Sequence, residues 1–217
     1  MMERMSVVFI LALFVLANMV VARTELVVCD DVRAPLTLNP LQEFDSKSHT
    51  IVQQIFDGLL AFDENGHVRP GLACAWKRVS PTRMIMTLRD GVLFHNGEKL
   101  TTNDVVYTIR AYQDAANGFP ARDYFGNITS VRALSVTTLE VQTQIPDGLL
   151  EGKLAFLRVL PSAYHASVGN DAFGEKPVGT GPFVFDEKCG TTSITMNKNP
   201  QYWKKDLPKG SSARQRV

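Results

Sequence analysis

Cysteine is scarce in this sequence, and the three that occur cannot form a complete disulfide framework because their number is odd. They are Cys29, Cys74 and Cys189. Each lies among apolar or strand-like neighbours, which favours buried thiols. A bridge between Cys29 and Cys189 stays open if the compartment is oxidising. A fold organised by several disulfides is therefore excluded.

Net charge is also nearly absent, because 23 basic residues balance 22 acidic ones and leave a formal charge of +1 at pH 7. Proteins that bind nucleic acids or anionic membranes carry a block or stripe of positive charge, and no such block occurs here. The composition argues against a nucleic-acid partner. An apolar share of 45% is instead enough for a sizeable core in one domain or two small ones.

The common catalytic and metal-binding motifs are missing as well. The sequence has no G-x-S-x-G elbow, no H-E-x-x-H pair, no Walker loop and no paired-cysteine metal site. No histidine has a close cysteine or second histidine at ligand spacing, and the histidines are His49, His67, His95 and His165. We therefore expect no catalytic residues, no metal and no cofactor. A secreted hydrolase is the enzyme that the sequence leaves open.

Residues 1–22 have the pattern of a secretory signal peptide. Arg4 supplies the positive charge, an apolar run covers residues 6–17, and small residues precede Arg23 as a cleavage site. Asn18 interrupts the run, which is shorter than the ~20 residues that a membrane-spanning helix needs. We expect export with cleavage before Arg23, and an uncleaved membrane anchor is the alternative.

The position of Cys29 does not fit a lipoprotein, in which the cysteine comes directly after the apolar run. Cys29 instead follows the apolar residues 26–28 inside the expected mature chain, where a buried first strand is the simpler interpretation. The sequence therefore predicts a periplasmic protein that is not a lipoprotein.

Helical and extended patterns alternate along the mature chain. Residues 25–29 are rich in β-branched side chains and predict a strand. Apolar spacing after Ser46 or Ser48 predicts a helix that closes at Gly58. Asp90-Gly91 and Asn96-Gly97 predict hairpin turns. Thr101 with Asp104 predicts a capping box at the start of a second helix.

The remaining segments complete a mixed order of elements. We expect strands at residues 84–88, 128–134 and 138–145, a helix from 146–148 to 156, a polar surface loop at 169–176, and a hairpin of residues 183–187 and 193–197. Antiparallel hairpins mixed with helices predict an α+β fold (mixed α/β) and not a regular doubly wound sheet.

Several short motifs then occur in a fixed order. They are Leu38-Asn39-Pro40, Phe56-Asp57-Gly58-Leu59, Leu72-Ala73-Cys74-Ala75-Trp76, the segment LRDGVLFHNG at 88–97, TTNDV at 101–105, PVGTGPF at 177–183 and NPQYW at 199–203. In this combination the chain resembles the peptide/nickel class of extracellular solute-binding proteins, which are components of ABC importers. The resemblance covers roughly residues 25–209.

The resemblance implies a type II periplasmic binding protein, whose two lobes close on a peptide, metal chelate or other small solute before docking on a membrane permease. It implies that residues 23–46 and 169–209 form the main subdomain of lobe I, which is incomplete here, and that residues 47–168 form its extra subdomain. Residues 210–217 depart from the family as an aberrant tail, and lobe II is absent.

A substrate-binding component of an ABC importer, truncated in this chain, is thus the expected function. The alternative is a degenerate product or one part of a split receptor, without a transport role of its own.

Ligand-contacting residues are expected among aromatic and polar groups on loops, since binding proteins line their clefts in this way. Phe44 and His49 lie between the first strand and the first helix, and Tyr124 lies in a loop with Phe125. Each of these could instead be solvated or cover the core.

Arg158 stands within an apolar run, where a buried guanidinium would need a carboxylate partner, either from the ligand or from a structural ion pair. Thr180 could face the cleft. Structural roles are expected for the other conspicuous residues of the motifs: Trp76, Phe94 and His95 as hairpin packing, and Gly179 and Gly181 as a tight crossing of the backbone.

Overall fold

The fold is a mixed arrangement of helices and antiparallel strands, and it confirms the α+β prediction. The computed structural model describes residues 25–29, 37–42, 46–115, 120–189 and 193–204. Its strands are β1 Glu25–Cys29, β2 Leu60–Phe62, β3 Val68–Pro70, β4 Ala73–Ser80, β5 Arg83–Leu88, β6 Ile128–Ala133, β7 Thr138–Thr143, β8 Phe183–Cys189 and β9 Ser193–Lys198. Its α-helices are α1 Ser46–Ile55, α2 Thr102–Gln113, α3 Leu150–Phe156 and α4 Ser162–Glu175, and a 3-10 helix covers Pro120–Phe125.

A four-stranded antiparallel sheet in the order β4-β5-β7-β6 forms the middle of the chain. Met84, Met86 and Leu88 alternate along β5 and are buried, as the sequence pattern predicts for a strand with one face on the core. Trp76 pairs with Met86 from the neighbouring strand and packs against the same core. The structural role expected for Trp76 is therefore confirmed.

The two ends of the described chain meet in a separate three-stranded sheet of order β1-β9-β8. The predicted hairpin is present, because β8 and β9 pair antiparallel, and β1 adds to the other side of β9. Together with a two-stranded β2-β3 sheet, this completes the strands of the described residues. The division into a main subdomain (23–46, 169–209) and an extra subdomain (47–168) stays a prediction, and residues 1–22 and 210–217 lie outside the described residues.

The sheet register argues against the Cys29–Cys189 bridge from the positions of the backbone. Both residues stand opposite Ser193, one on each side of β9. Two strand spacings of about 4.8 Å then separate their Cα atoms, which exceeds the ~7 Å that a disulfide can span. Cys74 is exposed, so the expectation of a buried thiol is wrong at that position.

The predicted capping box at the start of α2 is present and has a second role. The backbone N–H of Thr101 donates to Asp104 Oδ2 over 2.8 Å. The other oxygen of this buried carboxylate accepts the backbone N–H of Ser162 at 2.9 Å and its hydroxyl at 2.7 Å. One side chain therefore caps α2 and also fixes the start of α4.

Residues 169–176 do not form the predicted polar loop, because most of them belong to α4. Gly169 has a φ of +77° and bends the helix, and the chain then continues helically to Glu175. Phe173 explains the difference, since it is fully buried against Phe56 at a ring distance of 6.0 Å. Tertiary packing of this one side chain outweighs the polar character of its neighbours.

Of the two predicted glycine turns, only the second closes a hairpin. Gly91 and Gly97 both have positive φ, which glycine adopts without strain. Asn96-Gly97 joins Leu93 to Lys99, which form an antiparallel bridge. Asp90-Gly91 instead ends β5 and turns the chain away from the sheet.

The segment with Gly179 and Gly181 crosses the C-terminal end of α1 at backbone distance. The N–H of Gly181 donates to Ile55 O over 2.8 Å, and a Cβ at Gly179 would stand 2.1 Å from that same oxygen. His95 holds the outer side of the crossing: its N–H donates to Gly179 O at 2.8 Å, and its Nε2 is 3.0 Å from Gly181 O. The structural roles expected for these glycines and for His95 are confirmed.

Within the described ranges, no helix combines the length and the apolar character that crossing a membrane requires.

We predict that Gly179→Ala destabilises the protein, because the new methyl group collides with the backbone of α1 and not with a movable side chain. The free energy of unfolding in urea should fall by about 1–3 kcal/mol or more. Gly148→Ala is the matched control, since a Cβ there meets nothing within 4 Å, and it should stay within about 1 kcal/mol of wild type. Equal stability of the two variants would contradict the close crossing.

Candidate functional site

The carboxylate of Asp57 collects side-chain donors from two distant segments of the chain. Asp57 lies two residues after the end of α1, and the Thr180 hydroxyl donates to its Oδ2 at 3.0 Å. Tyr202 donates its hydroxyl proton to Oδ1 at 3.0 Å, and Trp203 donates its indole N–H to Oδ2 at 2.8 Å. The three donors belong to the PVGTGPF and NPQYW motifs, so three of the quoted motifs, including the one that contains Asp57, meet at this side chain.

Thr180 serves this network and does not face a cleft. Its exposed fraction is 0%, and its Oγ1 also accepts the backbone N–H of Asp57 at 3.4 Å. The expectation that Thr180 contacts a solute is therefore corrected: the hydroxyl supports the site from the interior.

Burial raises the pKa of Asp57, and this effect exceeds the opposing hydrogen bonds from Trp203, Tyr202 and Thr180 and the positive charge of Arg158. Burial and the adjacent Asp57 also raise the pKa of Tyr202 well above its ordinary value. Tyr202 therefore remains a hydrogen-bond donor at physiological pH. Burial thus disfavours the ionised carboxylate of Asp57, and the surrounding hydrogen-bond donors and Arg158 offset only part of this cost.

Arg158 lies next to this network because two backbone segments run side by side. Gly58 and Arg158 form an antiparallel bridge, and the N–H of Leu59 donates to Leu157 O over 3.1 Å. A Cβ at Gly58 would stand 2.3 Å from Ala155 O, so only glycine permits the approach. The residue before Gly58 is Asp57, and its carboxylate is thereby brought near the Arg158 side chain.

His49 is the third ionisable group of this region. It lies on α1, it is half-buried, and burial together with the positive charge of Arg158 lowers its pKa. The neutral imidazole is therefore the main form at pH 7. Its ring is 5.7 Å from the ring of Phe156 at the end of α3.

Phe156 joins His49 to two further rings that are partly open to solvent. Phe62 lies 5.5 Å and Tyr124 lies 6.3 Å from it between ring centroids. The exposed fractions of Phe62, Tyr124 and Phe156 are 43%, 39% and 42%, so each presents a ring edge or face to the outside. We call these four residues, His49, Phe62, Tyr124 and Phe156, the aromatic surface.

The predicted residues fall into three groups. His49 and Tyr124 belong to the aromatic surface, and Arg158 lies beside it, two positions after Phe156. Thr180 lies underneath, and Phe44 lies outside the described residues. Phe125, which sequence analysis paired with Tyr124, is buried in the core with its ring 5.0 Å from Tyr112.

Asp57, Phe62 and Phe156 were not among the site residues predicted from the sequence. Asp57 carried a usable signal, because an acid directly after the apolar end of a helix needs partners if it is buried, the same reasoning that selected Arg158. Phe62 and Phe156 carried none, since an aromatic residue at the end of a strand or helix is most often part of a core.

A separate groove of about 520 Å³ lies between β8, the end of α4 and the 94–98 turn. It is lined by side chains of mixed charge and polarity: His95, Asn96, Tyr164, Glu175, Lys176, Pro177, Val178, Val184, Phe185, Asp186 and Glu187. None of the predicted ligand-contacting residues that the structure describes lines this groove. In the described part of the chain, no three His, Cys, Asp or Glu side chains converge in a way that could hold a metal ion.

The fold is that of type II periplasmic binding proteins, of which this chain represents a part. NikZ from Campylobacter jejuni, solved in complex with Ni(L-His), superposes with a TM-score of 0.74 at 25% sequence identity, covering 80% of this chain and 35% of that chain. The chain belongs to the bacterial extracellular solute-binding proteins of family 5, whose "Middle" model matches residues 67–216.

Curated relatives support the same membership. Protein XP55 from Streptomyces lividans is 31% identical over 175 residues, covering 78% of this chain and 31% of that protein. The oligopeptide-binding protein OppA from Bacillus subtilis is 28% identical over 198 residues, covering 81% of this chain and 36% of that protein. The chain thus spans about a third of the length of the relatives that it matches.

We predict that Arg158→Gln raises the pKa of His49, because the neighbouring positive charge that disfavours a protonated imidazole is removed. The midpoint of the His49 ring-proton titration, followed by NMR, should move to higher pH. Arg110→Gln, an exposed position on α2, is the matched control and should leave the midpoint in place. An unchanged His49 midpoint in Arg158→Gln would show that the guanidinium is not close enough to His49 to affect its pKa.

Proposed function

We propose that this chain supplies one wall of the solute-binding cleft of an ABC-importer receptor, and that the solute is a peptide or a related small molecule with a carboxylate. Membership of family 5 supports the role of a solute-binding component. OppA from Bacillus subtilis is by name an oligopeptide-binding protein, and NikZ was solved with a nickel–histidine complex. Both kinds of ligand carry a carboxylate group.

The observation that carries this proposal is the combination of the aromatic surface with Arg158. Exposed aromatic side chains in mutual contact are uncommon on a protein surface without a binding role. Solute-binding clefts are lined by such rings and by a few convergent polar groups that orient the ligand. The guanidinium of Arg158 suits a carboxylate, because its planar fork can donate two parallel hydrogen bonds.

Each element of the surface then has a separate task. Phe62, Tyr124 and Phe156 offer apolar faces on which a side chain of the solute can pack. Arg158 selects the anionic end, and the neutral His49 can donate or accept one hydrogen bond beside it. The proposal includes no catalytic step, in keeping with the name of OppA as an oligopeptide-binding protein.

The cellular part of the proposal follows from the family and from residues 1–22. Proteins of family 5 act outside the cytoplasmic membrane, and we propose that this chain reaches the periplasm through cleavage of its N-terminal segment before Arg23. The partner would be the permease subunits of an ABC importer, which accept the solute from the receptor.

Loss of the guanidinium should weaken the binding of carboxylate solutes selectively. We expect wild type to bind the dipeptide Ala-Phe weakly, near millimolar, because one wall supplying half of a micromolar affinity retains about −4 kcal/mol. Its C-terminal amide should bind less well. In Arg158→Gln the dipeptide should bind about tenfold or more weakly and lose its advantage over the amide, since a hydrogen-bonded charge is worth about 1.5–3 kcal/mol.

NMR titration of the wild type, Arg158→Gln and the control Arg110→Gln measures these constants. The control should match wild type with both ligands. Equal binding of Ala-Phe and its amide by wild type, or an unchanged preference in Arg158→Gln, would refute the carboxylate site.

Export should leave a mature chain that begins at Arg23. Expression in a Gram-negative host, followed by intact-mass measurement of the periplasmic fraction, should give the mass of residues 23–217 without a lipid. A product in the membrane fraction that retains residues 1–22 would contradict cleavage. A mass increase that corresponds to a lipid attached to cysteine would contradict the prediction that the protein is not a lipoprotein.

A further inference from the structure

The hydrogen bonds to Asp57 extend beyond the aromatic surface and reach the Tyr202–Trp203 segment. Three side-chain donors converge on a single carboxylate, and two of them, Tyr202 and Trp203, come from a segment more than a hundred residues away in sequence. The rings of these two neighbours are 5.5 Å apart, and the guanidinium of Arg89 covers Trp203 at 4.7 Å. Asp57 is thus the fixed point on which this segment is held.

The backbone pairing of the next residue, Gly58, with Arg158 also places Asp57 close to Arg158 in the fold. The Gly58–Arg158 bridge pairs the residue after Asp57 with the arginine, and the glycine leaves no room for any side chain between the two strands. The positive charge of Arg158 lowers the pKa of Asp57 and also that of His49. One guanidinium therefore influences both the interior network and a member of the aromatic surface.

We propose that Asp57 is a positioning residue that shares the charge of Arg158 with a bound carboxylate, and so links occupation of the aromatic surface to the Tyr202–Trp203 segment. This inference rests on the proposed function, since it needs a carboxylate at Arg158. By linkage, the effect must be reciprocal: whatever a bound anion does to Asp57, protonation of Asp57 does to the binding of the anion.

The direction of this coupling follows from the signs of the charges. Burial raises the pKa of Asp57, and Arg158 is the positive group that opposes the shift. A second anion placed beside Arg158 adds negative potential near Asp57 and therefore raises its pKa further. Among the described residues, the other charged or titratable groups near this network include His49, which feels the charge of Arg158, Tyr202 itself, and Arg89, which covers Trp203.

The indole N–H of Trp203 reports on Asp57 directly, because it donates to Asp57 Oδ2. Its NMR signal should follow the titration of Asp57, whose midpoint lies above the ordinary aspartate value, while the ring protons of His49 register the separate titration of that histidine. Without any ligand, Arg158→Gln should move the Trp203 midpoint to higher pH, and Arg110→Gln should not. An unmoved midpoint in Arg158→Gln overturns the proposal.

The ligand arm of the experiment uses saturating Ala-Phe and its C-terminal amide on the wild-type chain. An α-carboxyl group has a pKa of about 3.3–3.7, so the carboxylate of the dipeptide is still ionised above about pH 4.5. Ala-Phe should raise the Trp203 midpoint, its amide should not, and the dipeptide should bind more tightly as the pH falls through that midpoint. In Asp57→Asn this pH dependence should vanish, whereas in the control Asp63→Asn, on an exposed turn, it should persist.

Different results would refute the carboxylate site at Arg158 and its coupling to Asp57. If Arg158→Gln shifts the Trp203 midpoint but Ala-Phe does not, Asp57 and Arg158 are coupled and the proposed carboxylate site is wrong. If Ala-Phe binds in an Arg158-dependent manner but leaves the Trp203 midpoint unchanged, the proposed function stands and the link through Asp57 is refuted.

A milder variant covers the case in which Asp57→Asn does not fold. Tyr202→Phe removes one donor and leaves the ring in place, so it should raise the midpoint reported by Trp203, because a hydrogen bond that favours the charged carboxylate is lost. Tyr164→Phe is its control, since that hydroxyl donates to the Lys176 carbonyl and takes no part in the network. A Tyr202→Phe midpoint equal to that of Tyr164→Phe overturns the role assigned to Asp57.

Discussion

Three parts of the chain meet at backbone distance around the C-terminal end of α1, and the rest of the structure depends on this approach. The backbone N–H of Gly181 donates to Ile55 O, and a Cβ at Gly179 would collide with that same oxygen. A Cβ at Gly58 would likewise collide with Ala155 O. Glycine is required at these positions because any side chain would push the segments apart. The approach brings the crossing segment to the side chain of Asp57 and the end of α3 to the backbone of the next residue, Gly58.

Buried carboxylates then hold the elements that glycine has brought together. Asp57 receives Thr180, Tyr202 and Trp203, and Asp104 joins the start of α2 to the start of α4. A buried carboxylate is costly unless several donors satisfy it, so each of these acids specifies one arrangement of its neighbours. At Asp57 the balance is incomplete, because burial still raises its pKa against three hydrogen bonds and a nearby arginine. This incomplete balance makes the residue sensitive to any further charge placed beside Arg158.

Local rules of sequence explain why many elements could be predicted. The cap formed by Thr101 and Asp104, the turn at Asn96-Gly97, the alternation along β5 and the hairpin of β8 and β9 all depend on residues close together in the chain. The misses depend on distant partners. Residues 170–175 are helical because Phe173 is buried against Phe56. The Thr180 hydroxyl is not available to a solute because it donates its hydrogen bond to Asp57. Neither partner can be identified from the local pattern.

The sequence by itself determined the class of the protein and the alternation of its helices and strands, and it singled out Arg158, His49 and Tyr124 as candidates for contact with a solute. Only the tertiary structure decided that Phe62 and Phe156 complete an aromatic surface with His49 and Tyr124, that Thr180 is interior, and that Asp57 accepts hydrogen bonds from the Tyr202–Trp203 segment. The physical reason is the range of the interactions. Caps, turns and periodicity act over a few residues, whereas ring contacts, shared charges and the burial of a carboxylate depend on which distant segments the glycines allow to meet.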